Sequence, residues 1–226
     1  MFELLLSFFL LFLFFFTLTI IWRIKARKYI SSGTVASAYD AWTEDKLLER
    51  LWGEHIHLGF YPSGAGNIDF RKAKVQFVHE LVKWSGLDKL PKGSRILDVG
   101  CGIGGSSRIL AKYYGFNVIG ITISSAQVKR ARELTPLSLT CSFQVMDALN
   151  LKFEDGSFDA IWSVEAGAHM NDKTRFADEM LRTLRPGGYL ALADWNSRDL
   201  MAYPPSFFEK LVLKQLLEQW VHPNFI

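Results

Sequence analysis

From residue 95 onward the apolar positions follow two alternating patterns. Runs of five to seven mostly apolar residues are separated by stretches in which apolar side chains return every three or four positions. Short continuous apolar runs predict buried strands, and the second pattern predicts amphipathic helices. The strands fall at Arg95 to Val99, Asn117 to Thr122, Leu139 to Val145, Phe158 to Val164 and Tyr189 to Trp195. The helices fall at 106–114, about 124–134 and 172–184, with one more over about 207–220. The helix over 172–184 carries Phe176, Met180, Leu181 and Leu184 on one face, and Arg-Pro-Gly-Gly ends it. Strands alternating with helices of this length predict an α/β fold with a parallel, doubly wound sheet.

The first ninety residues read differently. Residues 31–90 form a helical lead-in. It contains WGEHIHLGFYPSGAG, and then an apolar stripe of Phe70, Phe77, Val78, Leu81 and Trp84 with Lys74 among them. Leu-Pro-Lys-Gly at 90–93 breaks the chain before the first strand. Ahead of the lead-in, Leu4 to Trp22 runs without a charge, and Arg23, Lys25, Arg27 and Lys28 follow at once. Nineteen helical residues span ~29 Å, close to the hydrocarbon core of a bilayer. The expectation is a membrane anchor over residues 1–28, with its basic flank and the catalytic domain on the cytosolic or stromal side. A cleaved signal peptide would instead place positive charge before the apolar run.

The basic flank also explains the net charge of +3; without it the chain is close to neutral. No basic face is left for nucleic acid. The two cysteines, Cys101 and Cys141, have neither metal-ligand spacing nor a disulfide framework, so no metal is expected.

The chemistry is concentrated in ILDVGCGIGG, residues 96–105. The strand brings Asp98 to its C-terminal end. Gly100, Gly102 and Gly104 let the backbone turn tightly and approach a ligand, and the next helix offers its N-terminal amides. Gly100, Gly102 and Gly105 also satisfy the dinucleotide fingerprint G-x-G-x-x-G. That site would want an acidic residue about twenty positions on, and Thr122 stands there. Asp98, two residues before the first glycine, suits S-adenosylmethionine, whose amino-acid part it can anchor through water. Gln127 can reach a ribose or adenine edge, unless it lies on a solvated helix face. Asp147 can accept from the adenine amino group, unless it only caps a turn. Cys101, Ile123 and Ala148 complete the expected cofactor wall beside Gly102, Thr122 and Asp147.

The fourth strand ends in WSVEAGAHM, which brings Glu165 and His169 to the ligand-binding edge of the sheet. Four positions apart, they can interact if the turn is helical. The functional reading is a base with an orienting partner; the alternative is packing or capping. His55 and His57 either line the substrate mouth or pack beneath the lead-in.

YDAWTEDKLLERLWGEHIHLGFY, ILDVGCGIGGSSRILAKYYGFNVIGITIS, QVKRARELT, WSVEAGAHMNDK and ADWNSRD together resemble the tocopherol- and plastoquinol-pathway methyltransferases of photosynthetic organisms. The resemblance implies a Rossmann-like S-adenosylmethionine-dependent methyltransferase domain over residues 91–226. It also implies methylation of an aromatic carbon beside a phenolic hydroxyl in a prenylated quinol; for that step His169 is the candidate base, with Glu165 orienting it or contacting the cofactor. A lipid-soluble substrate would explain a bilayer anchor. Such a sheet continues past a fifth strand, so the chain is expected to be a fragment whose fifth strand is an open edge. ITISSAQ also resembles sterol and fatty-acyl methyltransferases, and a non-catalytic cofactor-binding membrane protein is the reading from another class.

Overall fold

A computed structural model describes residues 7–17, 29–64 and 66–223. Its centre is a five-stranded, wholly parallel sheet in the order β3-β2-β1-β4-β5. The strands are β1 (Arg95–Val99), β2 (Asn117–Thr122), β3 (Cys141–Val145), β4 (Phe158–Val164) and β5 (Leu184–Ala193). Helices α5 (Gly105–Tyr114), α6 (Ser125–Leu134) and α7 (Lys173–Thr183) connect or precede them. The lead-in holds α2 (Ser32–Glu44), α3 (Leu47–Trp52) and α4 (Phe70–Ser85), and α8 (Phe207–Trp220) closes the described chain.

Both faces of the sheet are covered, which is why its inner strands read as unbroken apolar runs. Ile96 and Trp162 pack with Val78, Leu81 and Leu110 of α4 and α5 on one face. Leu97, Val99 and Ile161 pack with Phe176 and Met180 of α7 on the other. Leu97 is fully buried, and truncating such a leucine to alanine costs about 2–5 kcal/mol.

Several helix ends are fixed by their own sequence. The Asp69 carboxylate accepts from the Arg71 and Lys72 amides at the start of α4, and left-handed Gly86 ends that helix. Asp172 accepts from the Arg175 amide at the start of α7.

Three expectations are revised. The fifth strand begins at Leu184, not Tyr189: Phe158 pairs with Leu184 and Ala160 with Tyr189, so residues 185–188 loop out as a bulge with Gly187 at φ +74°. Arg-Pro-Gly-Gly interrupts a strand without preventing it. Trp84, expected on the buried stripe of α4, is 79% exposed, because the core face of that helix runs through Val78, Leu81 and Val82. Leu181 likewise turns outward from α7.

The expected membrane span reaches outside the described residues at both ends. Its described part, helix α1 over 7–17, exposes its leucines and phenylalanines. Among the described residues no helix is long and apolar enough to cross a membrane, so the spanning helix finds no support there.

The direction of strand addition reverses between β1 and β4. In open α/β sheets the ligand crevice lies at that switch, outside the carboxyl ends of the strands.

Candidate active site

The crevice is occupied by a cavity of about 270 Å³. Asp98, Gly100, Cys101, Gly102, Thr122, Ile123, Gln127, Asp147, Ala148, Glu165 and His169 all contribute to its wall. Gly104 alone among the expected site residues lies outside the lining. It is the left-handed N-cap of α5, where a Cβ would come within 2.7 Å of the Phe143 ring. Its role is to let the backbone turn.

Gly100 is required for a different reason. It sits at φ +80°, and a Cβ there would lie 2.4 Å from the Ala166 Cβ, so β1 and the β4 turn can meet only without a side chain. Gly102 is open by contrast, with the Gln127 amide nitrogen 4.0 Å from where its Cβ would be. Asp98 is 2% exposed, and its carboxylate accepts a hydrogen bond from the Ser107 hydroxyl. Burial raises its pKa to about 7 against that hydrogen bond. Burial also pushes the Cys101 thiol up, keeping it an un-ionised apolar lining.

Thr122 donates its hydroxyl hydrogen to the Gln127 carbonyl oxygen at 2.7 Å. Gln127 is 3% exposed, so its amide nitrogen is oriented as a donor near the glycine turn and does not face solvent. Asp147 accepts from the Leu149 amide at 2.9 Å. It therefore caps a turn and lines the cavity at once. α2 covers this end: Asp40 accepts from the Ser124 hydroxyl at 2.6 Å and the Ala126 amide at 3.0 Å.

The opposite wall is built on the turn after β4. Glu165 adopts left-handed φ of +52°, an uncommon conformation for a residue with a side chain. Asp194, at the end of β5, holds that turn by accepting from the Gly167 and Ala168 amides. Residues 167–169 form a 3-10 turn, not an α-helix, and Glu165 and His169 bond to other groups instead of each other. Glu165 accepts from the Leu58 amide at 3.0 Å, and burial raises its pKa. The Nε2 of His169 meets the Tyr39 hydroxyl at 2.8 Å, and its Nδ1 has a long 3.5 Å contact with the Val221 carbonyl. A carbonyl only accepts, so Nδ1 carries the hydrogen and Nε2 accepts from Tyr39. Burial, then the neighbouring His222, lowers the His169 pKa to about 3.

A strap over residues 52–58 joins the two ends. Lys74, 3% exposed, donates to the carbonyls of Trp52 (3.0 Å) and His55 (2.8 Å). Glu54 is paired with Arg108 of α5 at 2.6 Å. His55 and His57 both line the cavity. Tyr39, Lys74 and Asp194 carry no expected site role in the sequence; their only signals are the place of Tyr39 in YDAW, of Lys74 within the stripe of α4 and of Asp194 in ADWNSRD.

Residues 97–192 match the family described as methyltransferase domain. The chain is 60% identical over 91% of its length to 2-methyl-6-phytyl-1,4-hydroquinone methyltransferase of Synechocystis sp., and 42% identical over 69% to the chloroplastic tocopherol O-methyltransferase of Arabidopsis thaliana. It spans 64% of the first relative and 48% of the second, less than two thirds of either. Among solved structures it resembles the cyclase SpnF, with TM-score 0.65 and 30% identity over 73% of this chain and 61% of that one.

Proposed function

The chain carries a methyltransferase domain over residues 97–192, and from that premise we propose that it methylates the aromatic ring of a prenylated quinol. S-adenosylmethionine is the methyl donor in this reading. The observation that carries it is the 60% identity, over nearly the whole chain, to a hydroquinone methyltransferase. The residues at the cofactor end suit that nucleoside: a buried carboxylate at Asp98, an open turn at Gly102, an amide donor at Gln127 and a carboxylate at Asp147. The fold alone would not decide the chemistry, since a cyclase shares it.

The donor supplies an electrophilic methyl group, and the protein's task is to make the ring a nucleophile. A phenol with a pKa of about 10 activates its ortho carbon only once the proton leaves. Tyr39 and His169 provide the route: the substrate hydroxyl donates to Tyr39 Oη while Tyr39 passes its own hydrogen to His169 Nε2. Burial keeps His169 unprotonated at neutral pH, with its Nε2 lone pair directed at the Tyr39 hydroxyl. The same burial makes the imidazolium costly, so transfer is coupled to loss of the sulfonium charge in the same cavity. As methyl transfer proceeds a carbon–carbon bond forms and the carbon–sulfur bond breaks, leaving a dienone. The methylated ring carbon then loses its hydrogen as a proton to solvent, and the proton held at His169 returns through Tyr39 to the ring oxygen, so one proton is released for each methyl transferred. A positioned base contributes roughly 10²- to 10⁴-fold.

The tail of the substrate leaves by the mouth, where Trp52, Leu58, Trp195, Leu216 and Trp220 line the cavity and are also solvent-exposed. A tocopherol is the second substrate reading, favoured by the 42% identity to a tocopherol methyltransferase. Incubation with methyl-labelled S-adenosylmethionine and a panel of prenylated quinols and tocopherols tests both. Label on a quinol ring carbon is expected; label on tocopherol alone favours the second reading, and label on neither defeats both.

A further inference from the structure

The His55 and His57 rings form a hydrogen-bonded chain whose polarity is fixed from one end. His57 Nδ1 lies 2.7 Å from the Leu58 carbonyl oxygen. That oxygen has no hydrogen to give, so His57 Nδ1 carries one and His57 Nε2 is left with a lone pair. His57 Nε2 in turn lies 3.1 Å from His55 Nδ1, which must donate. His55 Nε2 is then an acceptor only, on a ring lining the cavity, and no hydrogen bond to it is found among the described residues. Its orientation is held mechanically: Lys74 grips the His55 carbonyl, and a Cβ on Gly105 would fall 2.8 Å from the ring.

We propose that His55 Nε2 accepts a phenolic hydroxyl hydrogen and that the His55–His57 relay thereby selects the reduced quinol over its quinone. The inference rests on the prenylquinol reading above and deepens it. A 1,4-quinol offers two hydroxyl donors, one for the Tyr39–His169 pair and one for His55. The corresponding quinone offers only carbonyl oxygens, which would set lone pair against lone pair at His55 and leave a polar group unsatisfied. Burial and the neighbouring His57 keep His55 neutral, so the selection holds across the physiological pH range.

The test uses the full chain saturated with S-adenosylhomocysteine, which transfers no methyl group. Equilibrium binding is measured anaerobically for a short-chain prenylated quinol, its quinone and its dimethyl ether. The wild type is expected to prefer the quinol on the order of 10- to 100-fold. His55→Phe should bring quinol binding down to the quinone level, leaving quinone binding and S-adenosylhomocysteine retention unchanged. His57→Phe, which frees the His55 tautomer, should shrink the preference with the same retention. A merely structural role would lower all three ligands together. That outcome overturns the inference, as does a wild type with no preference. So does loss of S-adenosylhomocysteine in His55→Phe in step with quinol, which would assign the lone pair to the cofactor's ammonium. If the wild type binds none of the three, the prenylquinol reading falls and takes this inference with it. If it binds all three equally, only the inference falls.

Discussion

Tyr39 and His169, 130 positions apart in the chain, share a hydrogen bond of 2.8 Å between the phenol oxygen and Nε2. The pair joins the lead-in to the turn after β4, and the carbonyl at Val221 sets its direction. Tyr39→Phe removes the relay hydroxyl while keeping the ring that packs edge-on against His169. It is expected to lower kcat by roughly 10²- to 10⁴-fold with little change in cofactor affinity. His169→Ala should abolish labelling of the quinol, again with cofactor retained. Single-turnover labelling beside equilibrium dialysis checks both, and normal turnover in either variant removes that residue from the proton route.

Asp98 predicts a pH dependence with a definite sign. Its pKa is raised from 3.8 to about 7 in the folded chain, so the folded state favours the protonated carboxyl. The stability this lends is complete below 3.8 and is lost as pH rises through about 7. A cationic ligand beside the carboxylate pulls the pKa back down. Cofactor binding is therefore expected to tighten as pH climbs to about 7 and to release a proton below it. Calorimetry in two buffers of different ionisation enthalpy reads that proton directly. Asp98→Asn should lose the release and the pH dependence together; a wild type that releases none would show the carboxyl is not engaged.

Much of the sheet was legible because parallel strands buried on both faces leave a continuous apolar record. β1, β2 and β4 lie where the runs Arg95–Val99, Asn117–Thr122 and Phe158–Val164 put them. β5 was misjudged because Pro186 and Gly187 read as a stop, whereas the sheet absorbs them as a bulge whose pairing resumes at Tyr189. The cavity wall at the switch point was readable from one contiguous motif and the ends of successive strands. Tyr39, Lys74 and Asp194 were not, because their partners lie far along the chain and no local period links them. The Glu165–His169 pairing failed for a local reason: the left-handed φ of Glu165 breaks the helical spacing that four positions would need.

The two glycines Gly100 and Gly187 share positive φ and differ in their surroundings, which separates conformation from contact. Gly187 has nothing within 4 Å of a built Cβ, so Gly187→Ala should cost only the left-handed strain, about 1–2 kcal/mol. Gly100→Ala adds an unavoidable clash with Ala166, and overpacking contributes about 1–3 kcal/mol more. It should also displace the turn from the ligand. Urea denaturation of both variants, with cofactor retention measured alongside, tests the ranking. Equal stabilities would mean the β1 and β4 turns part more easily than their packing implies.

Lys74 predicts a loss confined to the strap. Its ammonium holds the Trp52 and His55 carbonyls and lies 5.1 Å and 5.2 Å from the centres of the Trp52 and Phe70 rings. Lys74→Met keeps the packed stem and deletes both donors, which costs about 1–3 kcal/mol when the carbonyls stay dry. The strap has no other lysine clamp among the described residues, so hydrogen exchange should accelerate over 53–58 while β1 and β4 stay protected. The Leu58 amide is the sharpest reporter, since it is bonded to Glu165 across the cavity and opens only if that bond breaks. Unchanged exchange at Leu58 would mean that Glu54 and Arg108 hold the strap without Lys74. Acceleration spread evenly through the sheet would make Lys74 a residue of the core and not of the site.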